Sequence, residues 1–525
     1  MSDLEEEYHS LIAVTDLNGY SGADALSYLG RLIDISCDLQ KTEGLERAIN
    51  LTKDFPEEKL SSHELALFHY FVANAWSGLK ALLRKNTEKV WDWEQEEIEN
   101  EIFHLRKALQ IATHGELPDE RLCQILTNLG NLLSHIGRFL EAIEYWNRAL
   151  EIMPSFGMAQ GNRGYGLHYY AKQLYDQNHI VLFLKFALLD LKESLTKPLE
   201  PDTIEPLREC AEQIEARVPS EYLSREENLY DHSLGQSTQE IQYRKWCLQN
   251  KLFLNSLNDL GSFPLAASDI LTLPGIVIKG KEPYYHGFFN QMKQEFVTAR
   301  YLYYEGITSD EPHFSDRNVL LFNTLDYPCY SLAAEKVKTS YRMIYSLFDK
   351  VSFFLNHYLS LAIPERKVTF RTLWYINQEK RKGLRTEFQH RENWPLRGLF
   401  SLSKDLYENR SGFKETLEPD AKELHDIRNH LEHKYFKLHD DLWHRPSSKE
   451  DDVVKALSDK LAFSLYRGEF ENKTLRLIKM ARAAFIYLAL AIQTEERHKV
   501  QKISAGKKIP HIHLNLDIWE DEWKR

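Results

Sequence analysis

No stretch of this 525-residue sequence stays apolar long enough to cross a bilayer. The most apolar helical run, 481–492, falls well short of the roughly 20 residues a crossing needs. A membrane-spanning protein is therefore excluded. Cysteine is scarce and scattered, since Cys37, Cys123, Cys210, Cys247 and Cys329 form no CxxC or other close pair. That spacing supplies neither a zinc site nor a disulfide framework, and reduced, buried thiols are the expectation. The opening residues, MSDLEEEYHS, are acidic and include no apolar leader, so a cytoplasmic protein is expected. There is no HExxH and no glycine-rich loop able to cradle phosphates. No cofactor and no metal are expected.

What is present is core-forming material. Apolar residues make up 43% of the chain and aromatics 12%, which excludes disorder over most of its length. The length implies two large domains or three ordinary ones. Charge is unevenly placed. The first 120 residues hold 24 acidic and 11 basic side chains, whereas the remainder is close to neutral, with 54 and 55. The acidic surplus repels nucleic acid, and it suits either a basic protein partner or a plain solvated surface. The neutral remainder neither demands nor excludes RNA.

Helical periodicity runs almost throughout. Residues 121–154 place Leu126, Leu129, Gly130, Leu133, Gly137, Ala142, Trp146, Ala149 and Pro154 at intervals that suit two closely packed helices and a terminating proline. This stretch resembles the 34-residue tetratricopeptide repeat. Weaker echoes lie upstream, at Leu29, Gly30, Ile33, Leu105 and Ala108, and downstream, at Gly164, Leu167, Ala187, Leu191 and Ser194. About four helical hairpins are expected over 1–215, stacked because no single repeat buries its own apolar face. Residues 89–101, with Trp91 and Trp93, read as a loop or helix start between repeats. Such a solenoid ordinarily presents a concave surface to a peptide or protein partner.

Residues 216–284 are punctuated by Pro219, Pro264, Pro274 and Pro283, with one helical piece over 242–257. Trp246, Leu248, Leu252 and Phe253 are too apolar for a free linker, so this connector should pack on the domain that follows. Beyond it, 339–362 carries Tyr341, Ile344, Tyr345, Phe348, Val351, Leu355, Tyr358 and Leu359 on one stripe. The stretch 472–493 does the same with Leu475, Ile478, Ala481, Phe485, Leu488 and Ile492. Pro419 and Asp420 announce a helix over 422–438, and 275–278 is the one tempting strand. A helical bundle over 285–495 follows, with an irregular region at 364–412 and a tail at 496–525. The fold class is all-α.

One constellation could do chemistry. The region 420–444 holds His425, Asp426, Arg428, Asn429, His430, Glu432, His433, His439, Asp440 and His444. A metal site would need ligands converging on one point, and only neighbouring-turn spacings such as His430/His433 are present. A structural reading makes Arg428 and Glu432 a surface ion pair at i and i+4. In the catalytic reading, Arg428-Asn429-His430-Leu431-Glu432-His433 forms arginine, a polar residue, three intervening residues and histidine. On a late helix of a bundle this resembles the R-polar-x3-H motif of the HEPN superfamily (higher eukaryotes and prokaryotes nucleotide-binding). The stretches YRMIYSLFDKVSFFLNHY (341–358), WPLRGLFSLSKDLY (394–407) and IRNHLEHKY (427–435) look like the HEPN family attached to tetratricopeptide repeats in bacteria. The likeness covers roughly 240–495.

That resemblance implies a metal-independent endoribonuclease in which two copies of the motif meet across a homodimer, or within a higher homo-oligomer. The residue types suit the task. Arg428 can grip the scissile phosphate and its developing charge. His433 can act as general acid or base. Asn429, about 40° from His433 around an ideal helix, can orient the imidazole or the phosphate. Arg428 and His433 are about 140° apart, which favours a groove shared by two protomers. His430 and Asp349 are supporting candidates, Asp349 because an unpaired carboxylate in an aromatic-rich helix is costly and could pair with Arg428 or a lysine. Asn356 and His357 are read as structural. RNA is the implied substrate, and the repeats would regulate or target it, as in a toxin or antiphage effector. The alternative is a non-catalytic adaptor whose bundle serves dimerisation or the binding of RNA or a nucleotide.

Overall fold

The computed structural model describes residues 3–524 apart from 18, 54, 85–90, 113–114, 116, 276–282, 310, 323, 325, 327, 390, 441–458, 460 and 505–517. Its helices begin with α1 (Asp3–Ile12), α2 (Gly22–Asp38), α3 (Thr42–Lys53), α4 (Ser62–Arg84) and α5 (Glu96–Ile111). Then come α6 (Asp119–His135), α7 (Phe139–Ile152), α8 (Gly157–Ala171), α9 (Gln177–Ser194), α10 (Pro201–Arg217) and α11 (Ser220–Ser224). The remainder are α12 (Thr238–Gln249), α13 (Leu257–Leu260), α14 (Tyr284–Thr308), α15 (Leu332–Tyr358), α16 (Trp394–Ser403), α17 (Ala421–His433) and α18 (Arg467–Ser504). Two short strands, β1 (Phe436–His439) and β2 (Phe463–Tyr466), and several single-turn 3-10 helices complete the described secondary structure. The chain divides into two compact units. Met1–Glu227 joins Arg371–Asp426 in the first, and Asn228–Phe370 joins Ile427–Arg525 in the second.

In the first unit, α2 to α9 pack as successive helical pairs. The small-against-large pattern read from the sequence explains how closely they approach. A methyl group added at Gly130 on α6 would sit 2.6 Å from Trp146 Nε1 on α7, so only glycine admits the indole. The buried indole N–H then donates to Asn131 Oδ1 at 3.0 Å. Helix α7 stops at Ile152, two residues before Pro154, whose ring cannot follow in a helix interior.

Arg371–Asp426 covers one face of these helices. Trp394 stacks on Phe139 with ring centres 4.7 Å apart, and its indole donates to the Ser134 carbonyl at 3.1 Å. The backbones meet where glycine stands on both sides. Gly137 holds a left-handed φ of +91° in the α6–α7 turn, and a Cβ there would lie 2.3 Å from the Trp394 carbonyl oxygen. A Cβ on Gly398 would lie equally close to the Gly137 oxygen. Beneath this contact Asp405 accepts from Arg106 at 2.8 Å and pairs with Arg138 at 2.6 Å, and the Arg138 and Asp405 side chains are each only 1% exposed. Burial works to raise the Asp405 carboxyl pKa, but Arg106 and Arg138 together hold it well below the ordinary range. Trp93, Trp374, Phe388 and Phe400 pack their rings in tilted contacts around the same segment, with centres 5.0–6.4 Å apart.

In the second unit α14, α15 and α18 form the core. Tyr341, Ile344, Phe348, Val351 and Leu355 are buried along α15, and Ile478, Ala481, Phe485, Leu488 and Ile492 along α18, on the stripes expected from periodicity. Tyr341 stacks on Phe470 at 5.4 Å, and Phe289 and Phe296 each meet Phe485 at 5.6 Å. The most apolar run, 481–492, is buried on every side inside this core, and no described helix is long and apolar enough to cross a membrane. Residues from 228 onward pack here too. Trp246 lies against Tyr303 and Tyr304, and buried Arg482 binds Asp259 at 2.7 Å and the Phe253 carbonyl at 2.6 Å.

Two sequence expectations about local structure change. The helix expected to run to residue 438 ends at His433, and Phe436–His439 is instead a strand paired in parallel with Phe463–Tyr466. The cause is alternation. Phe436 and Leu438 go into the core, where Phe436 meets Phe470 at 5.3 Å, while Lys437 is buried on Asp326 at 2.6 Å. His439 therefore leaves the helix that carries the other histidines. Of the strand expected over 275–278, residues 276–278 lie outside the described residues, and so does His444.

Candidate functional site

Helix α17 begins directly after Pro419 and Asp420, with Leu424 N–H donating to the Asp420 carbonyl at 3.1 Å. Leu424 and Ile427 are buried. Their helical neighbours Arg428 and Asn429 are half-buried, while His433 closes the helix exposed. Arg428 Nη1 donates to Asn429 Oδ1 at 3.2 Å. The same guanidinium stands 5.9 Å from the centre of the Tyr345 ring on α15. Among the described residues no carboxylate, Glu432 included, pairs with the Arg428 guanidinium.

The supporting candidates separate. His430 turns to the small sheet, where its ring stacks on Phe463 with centres 4.9 Å apart, and Phe463 stacks in turn on Phe436. Asp349 lies on the exposed side of α15. Tyr345 and Phe353, four residues to either side, share this side of the helix, whereas Phe348 and Phe354 turn into the core. Asn356 is structural, as expected, exchanging hydrogen bonds with the Ile363 backbone at 2.9 and 3.1 Å to close the turn after α15. His357 is exposed. His425 packs on Tyr407, and His439 Nδ1 lies 2.8 Å from the Asp326 carbonyl. Among the described residues no three His, Cys, Asp or Glu side chains converge on a point that would hold a metal.

Two neighbours of the motif escaped the sequence reading. Tyr345 was visible only as one member of an apolar stripe, and its place beneath Arg428 depends on how α15 and α17 meet. Phe463 follows a stretch with no helical period, and the parallel pairing that brings it to His430 spans 27 residues of chain. Neither had a local signal.

No curated protein matches the chain. A family model described as LA2681-like HEPN matches residues 276–495. The match takes in α14, α15, α17 and α18, and also Arg371–Asp426, which folds with the N-terminal helices. HEPN domains are often ribonucleases. The second half of this protein thus holds an LA2681-like HEPN domain, set after an N-terminal region of paired helices.

Proposed function

We propose that this protein is a metal-independent endoribonuclease whose site is completed by two copies of the chain. One observation carries the reading. Within the HEPN match, Arg428 lies half-buried with its guanidinium joined to Asn429 and, among the described residues, to no carboxylate, while His433 is exposed at the end of the same helix. A guanidinium with free donors is matched to a phosphodiester, which offers two anionic oxygens in the same plane. Helical geometry sets Arg428 and His433 about 140° apart, so a second copy is needed to bring an imidazole to the phosphate that Arg428 holds.

In this reaction the 2′-oxygen of the RNA attacks the adjacent phosphorus and the bond to the 5′-oxygen of the next nucleotide breaks. His433 of one copy takes the 2′-hydroxyl proton and its imidazolium then gives that proton to the departing 5′-oxygen, leaving a 2′,3′-cyclic phosphate and a 5′-hydroxyl. Arg428 stabilises the extra charge on the phosphorane oxygens. Asn429 holds Arg428 in place through its side-chain oxygen.

The tetratricopeptide-like helices regulate or target this activity. In favour of that role, Arg371–Asp426 packs among them and leads directly into the motif, Asp426 preceding Arg428 by two residues. The same arrangement suits a toxin or antiphage effector triggered through its repeats. The test is incubation of the purified protein with total RNA in EDTA, with Arg428→Ala and His433→Ala alongside. Cleavage to cyclic-phosphate ends by the parent and by neither variant is the expected result. Equal cleavage by all three refutes the site, and toxicity on expression that does not depend on Arg428 leaves the adaptor reading instead.

A further inference from the structure

Helices α5 and α16, which belong to the same compact unit, enclose a cavity of about 20 Å³. One water molecule needs roughly 10–15 Å³, so there is room for a single small occupant. Trp93, Ile98, Ile102 and Phe400 give the cavity apolar walls, and Arg397, Ser401 and Lys404 line it from one side. These three recur at steps of four and three residues, which puts them on one face of α16 and the turn that ends it.

Arg397 is 4% exposed, and its guanidinium donates to two backbone carbonyls, of Asp92 at 2.8 Å and His135 at 3.3 Å. Its Nε–H has no hydrogen-bond partner, and no carboxylate pairs with it among the described residues. The Asp92 side chain is half-exposed and lies 3.6 Å from Arg84 instead. The buried cations nearby differ, since Arg106 and Arg138 share Asp405 and Lys404 pairs with Glu99. Glu99 is the carboxylate of the cavity wall, and Lys404, Lys380 and Arg371 all draw on its charge. A cation buried without a counter-charge is costly, and burial pushes the Arg397 pKa down to about 10. Ser401 is buried too, and its hydroxyl has no partner among the described residues. Ser403 on the same helix returns its own hydroxyl to the Phe400 carbonyl at 2.6 Å, the usual resort of a helical serine. Two buried, unpartnered donors, a guanidinium N–H and a hydroxyl, thus line one small cavity.

We propose that this cavity binds one chloride ion, held by the Arg397 Nε–H, the Ser401 hydroxyl and the Lys404 ammonium. A monatomic anion matches the room and accepts from every donor that faces it, whereas inorganic phosphate, with four oxygens, is too large. A water molecule would satisfy the same donors but leave the guanidinium charge uncompensated, which apolar walls make expensive. The ion ties α16, and with it the segment Arg371–Asp426, to α5. The site is separate from Arg428 and His433 and stands whether or not the protein cuts RNA.

Thermal unfolding of the full chain in sodium chloride and in sodium gluconate, at equal ionic strength, tests it. Gluconate is too bulky for the cavity. The midpoint is expected to rise with chloride and then level off, as binding to the folded state alone requires, and to stay flat in gluconate. Arg397→Gln should lose the chloride-dependent rise, and Ser401→Ala, a smaller change, should move it to higher chloride. In crystals of the parent protein grown in sodium bromide, anomalous scattering should place a peak between Arg397 Nε and Ser401 Oγ. Should Arg397→Gln fail to fold, Ser401→Ala and the bromide peak decide. Equal midpoints in the two salts overturn the proposal, as does a water at that position in place of bromide. A peak with no accompanying shift in midpoint marks an adventitious ion only and overturns it as well. So does a chloride response that Ser401→Ala leaves unchanged.

Discussion

The guanidinium of Arg428 lies over the ring of Tyr345, 5.9 Å from its centre, on a helix about 80 residues earlier in the chain. The aromatic face supports the cation without neutralising it, as a carboxylate would. A contact of this kind is worth about 0.5–1 kcal/mol at a partly exposed site. Tyr345→Leu should therefore slow RNA cleavage by roughly two- to fivefold while Tyr345→Phe, which keeps the ring, stays near the parent rate. Single-turnover cleavage rates of the two variants check this, and equal losses would show that the ring itself contributes nothing.

The two histidines of the motif should part company. His430 stacks on Phe463, so His430→Phe keeps the stacking surface and should retain most activity. His433→Phe removes the proton-transfer group and should lower the rate by about 10²-fold or more. Comparable losses in both would place His430 in the chemistry as well.

Asp405 holds Arg371–Asp426 to the paired helices through Arg106 and Arg138. Asp405→Asn removes the carboxylate shared by two buried guanidinium groups, which keep Glu418 at 3.4 Å from Arg106 and Glu141 at 2.8 Å from Arg138. The cost therefore falls at or below that of a fully broken buried pair, about 3–5 kcal/mol. The sign with pH follows from its lowered folded pKa. The contribution is complete above the ordinary aspartate value of 3.8 and is lost only as pH falls toward the lower folded value. Thermal unfolding at pH 7 should show a clearly reduced Tm for the variant, and an unchanged Tm would contradict the pairing.

Buried histidines set a different acid limit for the N-terminal unit. His69 Nδ1 lies 3.0 Å from His104 Nδ1. Burial pushes His69 down to about 3, with His104 and Lys107 adding to the effect, and burial with Lys107 pushes His104 down to about 4. Unfolding frees both rings to protonate near 6.5, so stability is full above that pH and declines below it, by up to about 1.4 kcal/mol per pH unit for each ring. Denaturant midpoints should fall steadily from pH 6.5 to 4, and His69→Phe should flatten the decline. A midpoint independent of pH over that range would contradict the burial of the pair.

What could be read from the sequence was what depends on local period. The hairpin over 121–154 was legible because Gly130, Trp146 and Pro154 each act within one pair of helices. The stripes of α15 and α18 were legible for the same reason. The end of α17 was not, because Phe436–His439 is a strand only through its pairing with Phe463–Tyr466 and through the reach of Asp326 to Lys437. The packing of Arg371–Asp426 was hidden as well. The glycine contact between Gly137 and Gly398 and the ion pairs on Asp405 join residues more than 250 positions apart. Asp349 was legible as a carboxylate in an aromatic-rich helix, and its exposure on α15 was not, since that depends on which face the bundle buries. The arginine and histidine of the motif were legible as residue types, and the Tyr345 ring under Arg428 was not.

Subunit mixing tests the central claim most directly. Arg428→Ala and His433→Ala chains are each expected to be inactive alone. After exchange of subunits, a mixed dimer holds one intact guanidinium and one intact imidazole on opposite chains, and it should regain a measurable part of the parent cleavage in EDTA. Mixed dimers, verified by mass, that remain as inactive as either variant alone would contradict a site shared between two copies.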